Sequence, residues 1–190
     1  FSNPDLLPSF PKIDLCPKVH EIIEGFPNMQ ISNSEFTESS ALLNLTLVAC
    51  FKQRRPSVDS FDRFIFDTWD LMEQAMVVLL DNKHNMIRFS LEEDLILAWS
   101  WAPQSCNGCR FFMFRWSFEF HMNRDPPSTV IWVSLLKLPL PFQNPSIIKM
   151  LGNLVKKYLC SDSRMESVFH PVNLIICIEM DVLKVPFNFI

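Results

Sequence analysis

Hydrophobic positions change period several times along this chain, and the order of those changes predicts its architecture. Leu45 to Phe51 is a short apolar run with β-branched members, which predicts a buried strand. Lys52 to Ser57 is a polar, basic loop. From Val58, the apolar residues Phe61, Phe64, Ile65, Trp69 and Leu71 recur mostly at helical spacing. Ser57 suits an N-cap, so a helix is predicted over 58–70. Ala75 to Leu80 predicts a second strand, Asp81 to Asn85 has turn chemistry, and Met86 to Phe89 predicts a third strand. Ser90 with Glu93 reads as a capping box, opening a second helix with Leu91, Leu95, Ile96, Ala98 and Trp99 on its apolar face. Pro103 stops that helix, and Arg110 to Trp116 predicts a fourth strand.

Strand, helix, strand, strand, helix, strand is the order of a ferredoxin-like split βαβ unit, the topology of RNA-recognition folds. A second pattern follows the break at Asn123 to Pro127. Thr129 to Leu135 predicts a strand, Leu138 to Pro141 a rigid turn, Ser146 to Tyr158 a helix, and Leu174 to Met180 a last strand. A weaker strand signal lies near 160–166. The expected class is therefore α+β: an RNA-recognition-like (ferredoxin-like βαββαβ) unit over 41–121 and an appended βαββ segment over 128–190, cut short at Ile190. Residues 1–40, rich in Pro, Ser and Asn, predict an irregular lead-in with one short helical turn at Val19 to Ile23.

Composition narrows the function. The 190 residues are 48% hydrophobic, with 18 Phe and 5 Trp, which is enough to fill a core. The formal net charge is −4, so nothing draws the whole chain toward nucleic acid and any such binding needs a local basic patch. No apolar run approaches the ~20 residues of a membrane span, and no signal pattern is visible. An intracellular protein of nucleus or cytoplasm, with no membrane partner, is expected. The first residue is Phe1 rather than Met, which suggests a fragment. The six cysteines fit reduced, structural roles. Asn44-Leu45-Thr46 matches a glycosylation sequon, read as chance at the start of a buried strand.

The stretches FKQRRPS, LLDNKHNMIRFSLEEDL, FFMFRWSFEF, VIWVSLLKLPL and IICIEMDVLK carry a resemblance. Over about residues 35–190 the chain resembles the plant domain of unknown function 4283, a family of proteins related to LINE-type retroelements. The MIRF strand leading into LEED, Arg115-Trp116 with Phe120, and WVS-x-x-x-LPL from Trp132 are the specific pieces. The resemblance implies nucleic-acid handling by a non-enzymatic, gag-like protein, usually upstream of a CCHC zinc knuckle. No Cys/His cluster with knuckle spacing lies within these 190 residues. Where the family usually has glycine, this chain has Ala49, Lys137 and Lys156, while Gly108 is kept. A left-handed lysine at 156, near a helix end, would cost about 1 kcal/mol. These departures fit a drifted retroelement copy.

The expected partner is RNA or single-stranded DNA, held mainly by phosphate neutralisation. The basic loop supplies Lys52, Arg54 and Arg55; Lys83 lies in the turn before the third strand; Arg110 and Arg115 flank the fourth. Alternation in the third strand exposes Asn82, His84, Met86 and Arg88 and buries Ile87 and Phe89. His84 and Arg88 would then contact bases or phosphates. His84 and Met86 occupy the usual aromatic positions, and the matching position on the first strand falls near Leu47, so strong stacking aromatics are missing. The last helix adds Lys149, Lys156 and Lys157 as lesser candidates. Cys106-Asn107-Gly108-Cys109 has no second ligand pair for zinc and precedes a strand, so it reads as a turn. Glu92, Glu93 and Asp94 suit a helix N-terminus better than a metal. No catalytic triad, metal site or cofactor is indicated, and a non-enzymatic role is expected. The alternatives are a protein-assembly module that self-associates through its aromatic sheet face and second unit, or a relic without retained activity.

Overall fold

Glu24 and Gly25 both take positive φ, 53° and 84°. This two-residue turn pairs β1 (Glu21–Ile23) antiparallel with β2 (Phe26–Asn28). The computed structural model describes residues 21–102, 104–118, 120–121, 128–162 and 173–181. In α1 (Asn33–Ser40), Ser32 Oγ accepts from the Glu35 amide while the Ser32 amide donates to Glu35 Oε2, a complete capping box. A 3-10 turn, Ala41–Leu43, follows. The expected irregular lead-in is thus corrected over 21–40. Residues 21–23 form a strand rather than a helical turn; Val19 and His20 lie outside the described residues. The chain divides into two units, 1–44 and 45–190.

The second unit opens with β3 (Thr46–Phe51), whose residues are nearly all buried. Ser57 Oγ accepts from the Ser60 amide and starts α2 (Val58–Thr68). β4 (Met76–Leu79) and β5 (His84–Arg88) follow, then α3 (Glu92–Ser100). β6 (Ser105–Cys106) and β7 (Cys109–Arg115) form a hairpin across Asn107-Gly108, with φ of 49° and 77°. The CxxC motif is therefore a two-residue hairpin turn. Asn107 tolerates the left-handed region, and at 77° glycine avoids the strain a Cβ would bring, which accounts for Gly108. The sheet order is β4-β5-β3-β7-β6 with every pairing antiparallel.

One face of this sheet, carrying Leu47, Ala49, Phe51, Ile87, Phe111 and Met113, packs under Phe61 and Ile65 of α2 and Leu95, Ala98 and Trp99 of α3. The Phe51, Phe61 and Phe111 rings meet with centroids 5.1–5.2 Å apart. Each large side chain buried there contributes about 1.5–3 kcal/mol on leaving water. Trp99 Nε1 donates to the Met113 carbonyl at 2.9 Å and fastens α3 to β7. The α3 N-terminus differs from the expected Ser90–Glu93 capping box. Leu91 is the N-cap and makes no side-chain cap bond. Asp94 is buried instead and accepts from the Met72 and Glu73 amides, tying the α2–β4 loop to α3.

β8 (Ser128–Leu136), α4 (Pro145–Val155), β9 (Lys157–Ser161) and β10 (Asn173–Asp181) complete the unit, with β10 central in an antiparallel β8-β10-β9 sheet. Leu159 and Cys177 join the same core as Trp99. Trp101 and Trp132 meet edge-on at 4.4 Å. The architecture is mixed α and β, with four α-helices among the described residues and antiparallel sheets throughout.

α4 ends at Val155, and Lys156 has extended backbone (φ −162°), so the expected left-handed strain at Lys156 is absent. It occurs at Lys137, where φ is +55°. Gly152 lets α4 approach β9 closely: a Cβ there would lie 2.7 Å from Tyr158 Cδ2 and 3.0 Å from its Cβ. Gly152→Ala should destabilise the protein by about 1–3 kcal/mol through overpacking, read as a lower urea midpoint. An unchanged midpoint would show that Tyr158 moves aside at no cost.

Candidate nucleic-acid interface

Strand register fixes where the cations gather. Phe51 ends β3 and pairs with Phe111 near the start of β7, and its amide donates to the Lys83 carbonyl at 2.9 Å. The end of β3, the start of β5 and the start of β7 therefore share one end of the five-stranded sheet. Lys52, Arg54 and Arg55 leave β3 at that end, Lys83 lies in the turn entering β5, and Arg110 lies at the start of β7. Lys52, Arg54, Lys83 and Arg110 are exposed. None of these four forms an ion pair among the described residues. Arg55 is half-buried and donates from Nη1 to the Pro56 carbonyl at 2.9 Å, which orders the loop.

Lys52, Gln53, Gly108 and Arg110 line an open cleft of ≈ 340 Å³. Gln53 and Gly108 were not among the sequence candidates. The Asn-Gly turn signal was present, but its value lies in folding β6 back so that its tip stands beside Lys52. Two cations on an open cleft, with no carboxylate paired to them among the described residues, suit an anion.

The remaining candidates separate from this group. Arg88 pairs with Thr46 at the opposite end of the sheet and is half-buried. Arg115 also lies at that end, on the helix-covered face. Its guanidinium sits 5.4 Å over the Trp99 ring, and Nε lies 3.3 Å from Glu179 Oε2 on β10. Glu179 also pairs with Lys157, at 3.5 Å. Arg115 thus joins the two sheets and is not displayed for a ligand.

His84 is 5% exposed, correcting the expectation that alternation would present it. It does lie on the sheet face away from the helices, with Val48, Phe112 and Phe114. Phe120 folds over that face, with centroids 5.7 Å from His84 and 5.4 Å from Phe114. Leu47 lies on the opposite face, in the helix-covered core, so it does not occupy a stacking position. Ile87 and Phe89 are buried as expected.

Asp81 organises the turn that carries Lys83. Its Oδ1 accepts from the Lys83 amide at 2.6 Å and the His84 amide at 2.8 Å, and the His84 ring Nδ1 lies 2.8 Å from Oδ2. Burial pushes the Asp81 carboxyl up, but the hydrogen bonds from Lys83 and His84 together outweigh it and hold the carboxyl below the usual carboxylate range. Among the described residues, no three His, Cys, Asp or Glu side chains group as metal ligands, and no helix is long and apolar enough to cross a membrane.

The fold and this site define a mixed α and β protein with cations gathered at the loop end of an antiparallel sheet. Residues 39–124 match the family model described as Domain of unknown function (DUF4283). No curated protein and no solved structure matches the chain.

A carboxyl lowered in the folded state stabilises the fold above its unfolded pKa, about 4, and loses that contribution as pH falls through the folded value. Asp81→Asn keeps an acceptor for the two amides but removes the charge. Urea midpoints of the natural protein should therefore fall more steeply below pH 4 than those of the variant. Parallel profiles would show that the Asp81 charge stabilises nothing.

Proposed function

We propose that this chain is a non-enzymatic nucleic-acid-binding protein of plant retroelement origin that holds single-stranded RNA by its phosphates. In this reading the unit over 45–121 is an RNA-recognition-like, ferredoxin-like fold. The helix–strand order and the sheet order, with β3 and β5 at the centre, support that assignment. The observation that carries the function is the open cleft with Lys52 and Arg110 on its walls, next to the cations of the loop after β3.

The mode of binding differs from that of a stacking platform. Bases usually lie across the exposed face of the two central strands. Here Val48 and Phe114 on that face are almost fully buried, and Phe120 covers part of it. Contact is therefore assigned to the loop end, where Lys52, Arg54, Lys83 and Arg110 neutralise successive phosphates with little reading of sequence. Each neutralised phosphate of a single strand adds about −0.7 to the slope of log affinity against log salt.

The double variant Lys52→Glu, Arg110→Glu tests this. In filter binding to single-stranded RNA at two salt concentrations, affinity should fall at least about tenfold and the salt slope should flatten by about 1.4. Unchanged affinity and slope would remove the cleft from the site.

A second reading, self-assembly, rests on the exposed apolar side chains Leu136, Leu140, Phe142, Met150 and Leu154 around α4. Met150→Glu with Leu154→Glu should convert any dimer seen in size-exclusion chromatography to monomer and leave RNA affinity intact. A natural protein that is monomeric at high concentration would exclude assembly through this surface.

A further inference from the structure

Cys160 on β9 and Cys177 on β10 face each other directly across the antiparallel ladder. Facing residues in such a ladder have Cα atoms about 4.5 or 5.5 Å apart, and both separations lie within the range a disulfide spans. The ladder is irregular here, since the pairing shifts between Cys177 and Ile178. Both thiols also converge on one hydroxyl. Cys160 Sγ lies 3.8 Å and Cys177 Sγ 3.5 Å from Ser100 Oγ on α3. Both cysteines are free thiols.

The two differ in access. Cys177 is fully buried, whereas Cys160 is half-buried and lines an open groove of ≈ 400 Å³ with Glu93, Ile96, Leu97, Trp101, Leu159 and Ser161. A small oxidant in that groove meets Cys160 first, with Cys177 directly behind it. A buried cysteine pair is usually plain core packing. The shared hydroxyl and the one-sided access to solvent set this pair apart.

We propose that Cys160 and Cys177 form a reversible cross-link site, closed by a small hydroperoxide such as hydrogen peroxide and reopened by a dithiol. The Cys160 thiolate attacks one peroxide oxygen; the S–O bond forms as the O–O bond breaks, and hydroxide leaves. The Cys177 sulfur then attacks the sulfenic acid, the S–S bond forms, and the hydroxyl departs with the Cys177 proton as water. The two sulfurs together lose two electrons, which reduce the peroxide.

The electrostatics favour that order. A hydrogen bond from Cys177 lowers the Cys160 thiol most; burial opposes it, Ser100 and Trp101 add to the lowering and Asp162 works against it, leaving Cys160 at about 7. The same hydrogen bond, with burial, pushes Cys177 up. Glu93, across the groove on α3, is the other charged group lining this opening. The lowered Cys160 thiol favours the thiolate, which is the nucleophile that peroxide chemistry needs.

The test uses the full chain treated with dilute hydrogen peroxide, digested without reduction and mapped by mass spectrometry. A Cys160–Cys177 linked peptide should predominate and disappear on adding dithiothreitol. Oxidation of Cys50 or Cys109 at a dose that leaves Cys160 and Cys177 unlinked would overturn the proposal. In brief alkylation at pH 7, Cys160 should react about tenfold faster than Cys109; equal rates would also overturn it. In Cys177→Ser, dimedone should trap a sulfenic acid at Cys160, and a folded variant with no adduct there would refute the order of attack. Linkage mapping of the natural protein decides the matter even if that variant does not fold.

Discussion

The structure depends on one strand being buried on both faces. β3 has Leu47, Ala49 and Phe51 beneath two helices, while Thr46 and Val48 on its other face are equally excluded from water. A strand in that position cannot carry charge, because an unpaired ion would lose several kcal/mol of hydration with nothing to replace it. The cations nearest to it in sequence are therefore displaced to the residues just beyond Phe51, where the chain leaves the sheet. The same burial keeps cations out of the middle of β5 and β7, so Arg88, Arg110 and Arg115 fall at or next to the ends of those strands. The cation cluster is thus a by-product of the core: positive charge collects where the sheet stops being dry.

Much of this architecture was legible because its signals are local. Ser57 caps α2, the apolar runs become β3, β4, β5 and β7, and Pro145 lies in the first turn of α4, all read from spacing and turn chemistry. The misreadings share a different cause. Alternation along β5 correctly set His84 and Ile87 on opposite faces, but it could not show that Phe120, thirty-six positions later, would close over the outer one. Arg115 looked like a surface cation because nothing near it in sequence reveals Glu179, which reaches it from another sheet. Ser90 and Glu93 had capping-box spacing, yet the helix begins one residue later. The lead-in holds the opposite case. Ser32 and Glu35 carried a capping-box signal that was overlooked because the surrounding residues are polar.

Legibility of the site follows the same rule. Loop cations can be found by composition, since loops keep their charges exposed. Their convergence cannot, because it rests on register: only the pairing of Phe51 with Phe111 brings Lys52 and Arg110 to one cleft. Gly108 enters the cleft through backbone geometry, which composition does not reveal. The pairing of Cys160 with Cys177 is likewise a matter of register between strands separated by more than ten residues.

The Arg115–Glu179 contact bears on where this protein can be divided. The family-model match ends at residue 124, whereas the counter-ion of Arg115 is Glu179, and Leu159 and Cys177 complete the core that holds Trp99. A boundary drawn by sequence likeness and one drawn by physics therefore disagree. Excision at the former would strand a guanidinium against an aromatic ring with its carboxylate gone, and would open the core beside it to water. The matched stretch and the unit that shares one core are different lengths of chain, and the later β-strands belong to the second.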